Sequence, residues 1–379
     1  SRLLPLPVVS LPFDFKARLA RAALTLLLAW GAARLCVRWG VPVPWMIGPL
    51  LATALANSLG LPAHSLRTLR NIGQWTIAVV LGLYFTPEMG ALMLRLWWAV
   101  LLGVVWALLL GLGLGRWLRR ALQATLPGLA PAELRATSYF ASSIGAASEM
   151  TLLAERAGAR TDLVAAAHSV RMAVVVLSVP FLMQWAKDYW QLQAVDMAPP
   201  APRVAEWPGL LWLVLATGAG AALMRLARGA NPWFIGPLAV TVALTLSGIH
   251  WSAVPTHFSQ AAQLLIGVSL GVRFSRAFWV AAPRWLAATA VGALALIALC
   301  LGFGAVLAWA TGLHPMTLVL ATSPGGLAEM AITAQVLQLG APVVTAFQVC
   351  RLVAVLLLAE PVYRRWVAPI PPSGMGTDR

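Results

Sequence analysis

Five long apolar segments constrain the fold of this chain more than any other feature of its sequence. They lie at residues 17–36, 95–115, 163–186, 207–227 and 285–310, and each is close to or above the roughly 20 apolar residues that cross a bilayer. Only 10% of the 379 residues are charged, against roughly 25% in an average soluble domain. The sequence therefore predicts an all-α polytopic membrane protein.

The cysteines and the net charge argue against several other classes of protein. Cys36, Cys300 and Cys350 are far apart and lie in or beside apolar segments, so they predict neither a disulfide framework nor a zinc site. The net charge of +15 comes from arginines scattered over short loops, which is typical of a topology signal rather than of a nucleic-acid-binding domain. Residues 1–16 lack the pattern of a cleaved signal peptide, so the first span is expected to be retained.

The chain contains an internal repeat. "VPWMIGPLLATAL" at residues 43–55 recurs as "NPWFIGPLAVTVAL" at 231–244, and "ASSIGAASEM" at 141–150 aligns with "ATSPGGLAEM" at 321–330. This duplication predicts two membrane repeats. The predicted division is an N-terminal segment 1–16, a first repeat 17–190, a linker 191–206, a second repeat 207–368 and a C-terminal tail 369–379.

Each half is interpreted as five spans plus one broken segment, at residues 136–157 and 316–338. If the broken segments crossed the membrane, the halves would be parallel; if they are re-entrant, the halves are inverted. The inverted arrangement places most arginines and lysines on one side, whereas the parallel one would put Arg156, Arg160, Arg225, Arg228, Arg273, Arg276 and Arg284 outside. The positive-inside rule therefore favours about ten spans in two inverted repeats, with both termini cytoplasmic. Inverted repeats with broken helices are typical of secondary transporters.

The two breaks predict non-helical backbone at membrane depth, which must be buried in protein or line a wet cavity. The stronger break is Pro324, Gly325 and Gly326, and the weaker one surrounds Gly145. Each returning half-helix would begin near the bilayer centre, where its N-terminal amides carry partial positive charge. Nearby hydroxyls are predicted to cap these helices or to bind a ligand; they belong to Ser142, Ser143, Ser148, Thr322 and Ser323.

Each half also carries a glutamate and an arginine at matching depth. Glu149 and Arg171 are 22 residues apart, as are Glu329 and Arg351, so each half is predicted to form its own pair. Such a pair can lock the re-entrant helix to its neighbour. Alternatively, the arginines, helix N-termini and hydroxyls bind an anionic or polar solute, and the glutamates hold the arginines or carry a coupling proton. The symmetric duplication favours the second interpretation.

Other polar residues in the apolar segments are weaker candidates. Gln74 and Gln263 recur at matching positions and are predicted either to contribute amides to a cavity or to pack. His168, one turn before Arg171, is interpreted as a satisfied core histidine. No catalytic residue, metal ligand or cofactor is expected. The predicted substrate- and ion-binding residues are Gln74, Ser142, Ser143, Gly145, Ser148, Glu149, Arg171, Gln263, Thr322, Ser323, Gly325, Gly326, Glu329 and Arg351.

With these duplicated motifs, the chain resembles the AbrB family of bacterial integral membrane proteins over roughly residues 17–368. The resemblance implies a bacterial inner membrane location and a fold similar to the cation/proton antiporter and anion transporter superfamily. Family labels include ammonia monooxygenase and regulator of gene expression, but five scattered histidines do not provide the ligand cluster of a metal oxygenase. The chain also lacks the adjacent aspartates of the antiporter branch, which favours anionic or zwitterionic solutes over cations.

The leading functional hypothesis is a secondary active transporter of a small polar or anionic organic solute, coupled to protons or sodium. It would work by alternating access at a mid-membrane site between the broken helices. Expected partners are membrane lipid, the solute and the coupling ion, without nucleic acid, and a homodimer is left open. The alternative is a membrane regulator or sensor of gene expression that binds a ligand or partner without moving it. An enzyme is not expected.

Overall fold

The computed structural model describes residues 13–61, 63–190 and 205–368. The predicted C-terminal tail, and nearly all of the predicted N-terminal segment and linker, lie outside these ranges. Where the structure describes the chain, it consists of helices joined by short connections, and no β-strand occurs there. The predicted all-α class is confirmed.

The two halves have the same series of eight helices. The first half contains α1 (Phe13–Arg38), α2 (Pro44–Ser58), α3 (Arg67–Gly82), α4 (Pro87–Arg95), α5 (Trp97–Thr125), α6 (Pro131–Ser142), α7 (Ala147–Arg156) and α8 (Thr161–Trp190). The second contains α9 (Trp207–Leu226), α10 (Pro232–Leu246), α11 (Thr256–Gly271), α12 (Arg276–Ala281), α13 (Pro283–Thr311), α14 (Pro315–Thr322), α15 (Leu327–Val336) and α16 (Ala341–Trp366). Each helix of one half thus has a counterpart in the other.

Six helices of the described chain are long and apolar enough to cross a membrane, namely α1, α5, α8, α9, α13 and α16. The protein is therefore a multi-pass membrane protein. The remaining four of the ten predicted crossings correspond to α2, α3, α10 and α11, which have 15 or 16 residues. They are shorter than the roughly 20 residues that span a bilayer unaided. The chain also turns by 88° between α3 and α4.

Helices α5 and α13, which are counterparts, pack against each other in opposite directions. Near the end of α5, the Trp117 indole donates a hydrogen bond to the Ala288 carbonyl near the start of α13, at 3.3 Å. Earlier in α5, Trp106 stacks on Phe303, which lies later in α13, with ring centroids 4.7 Å apart. Since equivalent helices run antiparallel, the two repeats are inverted relative to each other.

The helices form two groups that draw on both repeats. One, the scaffold, contains α1–α3 and α9–α11, in which α2 packs against α11 and α3 against α10. The other, the core, contains α5–α8 and α13–α16, in which α8 packs against α13 and α5 against α16. The scaffold helices approach closely where they carry glycine: a Cβ at Gly267 would overlap the Met46 carbonyl, and one at Gly48 would lie 2.8 Å from the Ala32 carbonyl oxygen. Small residues at such crossings allow backbones to meet inside a membrane.

Candidate functional site

Helices α6 and α7 form a re-entrant hairpin around a break at residues 143–146. Near the middle of α6, the Thr137 hydroxyl accepts a hydrogen bond from the backbone N–H of Arg160, just before α8, at 2.9 Å. At the end of α6, Arg171 of α8 reaches the Ser143 carbonyl. Helix α6 therefore runs parallel to α8. Because α7 leads from the break back to the start of α8, the chain leaves on the side from which it entered.

Helices α14 and α15 repeat this geometry around a break at residues 323–326. Gln348 donates to the Leu320 carbonyl at 3.0 Å, and Arg351, one turn further along α16, donates to the Ser323 carbonyl at 2.6 Å. Helix α14 is thus parallel to α16, and α15 returns to the start of α16. Both predicted broken segments are broken helices, and both are re-entrant.

The two arginines hold the broken backbone. Arg171 donates to the Ser143 and Gly145 carbonyls at 2.8 and 3.4 Å, and its counterpart Arg351 donates to the Ser323 and Gly325 carbonyls at 2.6 and 2.8 Å. Both are almost fully buried, at 3% and 6% exposure. A helix end leaves carbonyls without partners, and a planar guanidinium can satisfy two of them at once.

The predicted Glu149–Arg171 and Glu329–Arg351 pairs are wrong, because both arginines are bound to carbonyls and neither forms an ion pair in the described chain. Each glutamate instead lies in the first turn of its return helix, where the helix dipole favours negative charge. Glu149 accepts a hydrogen bond from the Ser148 hydroxyl at 2.7 Å. The Glu329 carboxylate lies against Gly326, whose missing side chain leaves room for it.

Five of the predicted ligands do not line the cavity in which the two breaks meet. Their side chains bond to their own helices: Ser142 and Ser143 donate to the Tyr139 carbonyl, Thr322 to Leu318, Ser323 to Val319, and the Gln263 amide to the Ser259 hydroxyl. They also do not cap the return helices, whose first flanking residues, Ala146 and Gly326, provide no side-chain cap. The prediction that these hydroxyls cap the return helices is wrong, because inside a helix a hydroxyl reaches the preceding turn most easily. Their role as ligands stays a prediction.

His168 and Gln348 occupy equivalent positions and support the two breaks. The His168 ring lies 3.0 Å from the Phe140 carbonyl through Nε2 and 3.0 Å from Arg171 through Nδ1. Since Arg171 can only donate, the hydrogen-bond network assigns the imidazole proton to Nε2. Gln348 donates to the carbonyls that end α14. His168 is thus the satisfied core histidine that the sequence predicted.

A cavity of about 880 Å³ lies between the core and the scaffold, where the two breaks meet. Both buried arginines and both glutamates line it. Its size is within the range of roughly 300–1,000 Å³ of small-molecule sites. Nine of the predicted site residues are found here: Gln74, Gly145, Ser148, Glu149, Arg171, Gly325, Gly326, Glu329 and Arg351.

Several lining residues were not predicted as site residues. They are Arg67, Arg70 and Asn71 of α3, Asp162 of α8, Asn231 and Trp233 at the start of α10, and Arg273 after α11. The three arginines had been interpreted as topology charges. Comparison of the repeats could have identified all three, because the equivalent positions carry the uncharged residues Thr256, Ser259 and Tyr84.

Around the cavity, the two halves of the described chain are buried to different extents. In α7 just Met150 and Ala154 are buried, whereas residues 327–334 of its counterpart α15 are all buried. Ala165, on the cavity wall, is exposed, but its counterpart Thr345 is fully buried. The two inverted halves thus have different environments, exposed around α7 and buried around α15.

Comparison with known proteins identifies the family. The profile of the AbrB family, described as "Transition state regulatory protein AbrB", matches residues 45–367, most of the chain. The chain belongs to the AbrB family. This AbrB-family protein is 26% identical over 353 residues to "Uncharacterized protein YhjN" of Bacillus subtilis (strain 168), covering 86% of this chain and 88% of that protein. It is also 26% identical over 338 residues to "Putative regulator AbrB" of Escherichia coli (strain K12), covering 88% and 92%.

No solved structure matches this AbrB-family chain. The resemblance of its fold to the cation/proton antiporter and anion transporter superfamily therefore stays a prediction. The inverted repeats, the re-entrant hairpins and the lined cavity are properties of this chain's own structure.

Proposed function

We propose that this AbrB-family protein is a secondary active transporter of a small polar or anionic organic solute, with its binding site at the two re-entrant breaks. The observation that carries the proposal is the cavity between core and scaffold, which both breaks line and around which α7 is mostly exposed and α15 is buried. Transporters with inverted repeats bind substrates near the midplane, at discontinuous helices, in the same way.

The different burial of the two halves supports alternating access. The halves have equivalent helices but different burial, most clearly in α7 and α15. Since the repeats are inverted, exchanging the environments of the two halves would bury the side that is now exposed and open the opposite side. The state open to the opposite side would therefore use the same kinds of helix contact as the present one, with the roles of the two halves exchanged. Movement of the core against the scaffold is the simplest motion that achieves this exchange.

The coupling ion is a proton or sodium in this proposal. Glu149 and Glu329 line the cavity and have no arginine partner at ion-pair distance in the described chain, so each can accept a proton or contribute oxygens to a sodium ion. Arg67, Arg70 and Arg273 line the cavity at one side, at the start of α3 and after the end of α11, and Arg67 is exposed there. Under the positive-inside rule this side faces the cytoplasm, which also places both termini there.

The experiment is a flux assay in proteoliposomes, with labelled carboxylates and amino acids and an imposed proton or sodium gradient. We expect gradient-driven uptake of at least one solute. Glu149→Gln and Glu329→Gln should reduce the gradient dependence, whereas Glu155→Gln, which alters an exposed residue of α7 outside the cavity, should not. Absence of uptake across the panel with either gradient would contradict the proposal.

A second candidate function is a membrane regulator or sensor that binds a ligand without moving it. The name of the Escherichia coli relative, "Putative regulator AbrB", favours this candidate. Transport of the ligand across sealed proteoliposomes distinguishes a sensor from a transporter. A sensor would be stabilised by its ligand in detergent, yet the same ligand would never cross sealed proteoliposomes.

A further inference from the structure

We propose that Arg70 and Arg273 form an anion-binding subsite at the cavity mouth, and that the solute is a small organic dianion of the dicarboxylate class. This inference rests on the proposed function, because it specifies the solute of the same cavity. It starts from two cavity-lining arginines that the breaks do not use.

Both arginines are presented by well-fixed backbone of the scaffold. Arg70 lies one turn before Gly73, where α3 approaches α11 so closely that a Cβ would lie 2.9 Å from the Ala262 carbonyl oxygen. The carbonyls on either side of Arg273 accept hydrogen bonds from the end of α2, Val272 from Asn57 at 2.6 Å and Phe274 from Ser58 at 3.1 Å. The backbone positions from which both arginines reach the cavity are therefore fixed before any solute binds.

Neither arginine has a hydrogen-bond or ion-pair partner for its side chain in the described chain. They are close enough to repel each other, and Glu329 is the carboxylate that attracts Arg273. Glu329 is attracted to Arg70 as well. Two half-buried guanidinium groups are thus attracted by one carboxylate, in the first turn of α15, without forming an ion pair with it among the described residues. An added carboxylate would relieve the repulsion and accept charge-assisted hydrogen bonds from both.

The pair occurs at one mouth of the protein only. The counterparts Ser259 and Tyr84 are uncharged, and Tyr84 interacts with Gln335 of α15. Internal duplication therefore does not account for the two arginines. In the present state, Arg70 and Arg273 on the scaffold would bind an anion together with the site at the breaks. In the second state of the transport cycle, movement of the core would separate these two arginines from that site.

The charge of the whole cavity indicates a dianion. Five arginines line it (Arg67, Arg70, Arg171, Arg273 and Arg351) against three acidic residues (Glu149, Asp162 and Glu329), a surplus of two positive charges. Asp162 is already paired with Arg160, outside the cavity, at 2.7 Å, so the surplus that a solute meets is at least two.

The deep end of the cavity can receive the second carboxylate. Arg171 and Arg351 line the cavity as well. The break carbonyls that they bind carry no net charge, so both positive charges remain available to attract an anion. A dicarboxylate with one group at Arg70 and Arg273 and the other toward Arg171 and Arg351 would match both ends of the cavity.

The test measures equilibrium binding to the purified full chain by ligand-induced stabilisation in detergent, with succinate and glutarate as probes. Butyrate, glutamate and inorganic phosphate are compared at the same concentrations. We expect succinate or glutarate to bind at least tenfold more tightly than butyrate. Arg70→Gln and Arg273→Gln should each raise the Kd about tenfold, since loss of one charge-assisted hydrogen bond is worth at least about a factor of ten. Arg276→Gln is the matched control, because Arg276 is exposed and close to Arg273 but outside the cavity.

Three results would overturn the subsite: no stabilisation by either dicarboxylate, equal binding of dicarboxylates and butyrate, or unchanged affinity in both variants. Preferential binding of phosphate would overturn the dicarboxylate class. Preferential binding of glutamate, which carries an ammonium beside its two carboxylates, would overturn the assignment of a net dianion. Flux of the same probes separates this inference from the proposed function. Variant-sensitive dicarboxylate binding without flux would contradict transport alone, whereas flux of dicarboxylates that both variants leave unchanged would contradict the subsite alone.

Discussion

At the scale of single residues, Arg171 and Arg351 replace the missing turn of a helix. Each break leaves carbonyls that the helix no longer pairs. The guanidinium groups donate hydrogen bonds to them at distances of 2.6 to 3.4 Å. Each unsatisfied carbonyl would otherwise cost about 1–3 kcal/mol. Arg171 and Arg351 therefore both stabilise the breaks and line the cavity.

Replacing Arg351 by alanine should destabilise the protein strongly. The change removes two hydrogen bonds from a charged donor, each worth about 1.5–3 kcal/mol, so the free energy of unfolding should fall by about 3 kcal/mol. Denaturant unfolding in detergent measures it. Arg365→Ala, at an exposed position of the same helix, should change it by less than about 0.5 kcal/mol. Equal effects of the two substitutions would contradict the role of Arg351.

The second repeat has glutamine, Gln348, at the position equivalent to His168. Its counterpart Gln348 supports the second break through its amide, so His168→Gln should keep most of the stability. His168→Leu should lower the free energy of unfolding by about 1–3 kcal/mol, because the Phe140 carbonyl loses its donor inside a dry core. The same unfolding measurement compares the two variants. A leucine variant as stable as the glutamine variant would contradict a hydrogen-bonding role for His168.

At the scale of helices, the sequence predicted the breaks but not their partners. A helix break is predicted at Pro324, Gly325 and Gly326, because this sequence does not continue a helix. The second break, at Gly145, is predicted because the repeat aligns it with this segment. Spacing placed Arg351 at the depth of the break, but spacing cannot decide between a carboxylate and orphan carbonyls as its partner. Arg70 and Arg273 were missed because their approach to the cavity depends on how α3 and α11 cross, which no local pattern encodes.

The close helix crossings give a prediction about glycine. Gly267→Ala would force α11 away from the backbone of α2 at Met46, and such overpacking costs about 1–3 kcal/mol. Gly302→Ala is the matched control, because Gly302 also lies within a helix but has open space around it; there alanine should be neutral or stabilising. Thermal unfolding of both variants in one detergent checks the difference. An equally mild effect at both positions would contradict the close crossing.

At the scale of the whole molecule, the proposed alternating access is supported by two features, the inverted repeats and the different burial of their equivalent helices. Helices α5 and α13 run antiparallel through the core, so the two sides of the membrane meet equivalent sets of helices. The observed structure exposes one set and buries the other. Which half is exposed cannot be predicted from the sequence, because the two states of the proposed transporter would differ in packing between core and scaffold and not in local structure.

Side-specific cysteine labelling tests alternating access most directly. Ala165→Cys and Thr345→Cys alter equivalent positions of α8 and α16, one exposed on the cavity wall and one fully buried, in a background where the exposed Cys350 is replaced by serine. With a membrane-impermeant maleimide on sealed vesicles, we predict that the cysteine at 165 reacts from one side only and that the cysteine at 345 reacts from the opposite side only. A dicarboxylate gradient should change the two rates in opposite directions. A cysteine at 345 that stays unreactive from both sides, while the one at 165 reacts, would contradict the account.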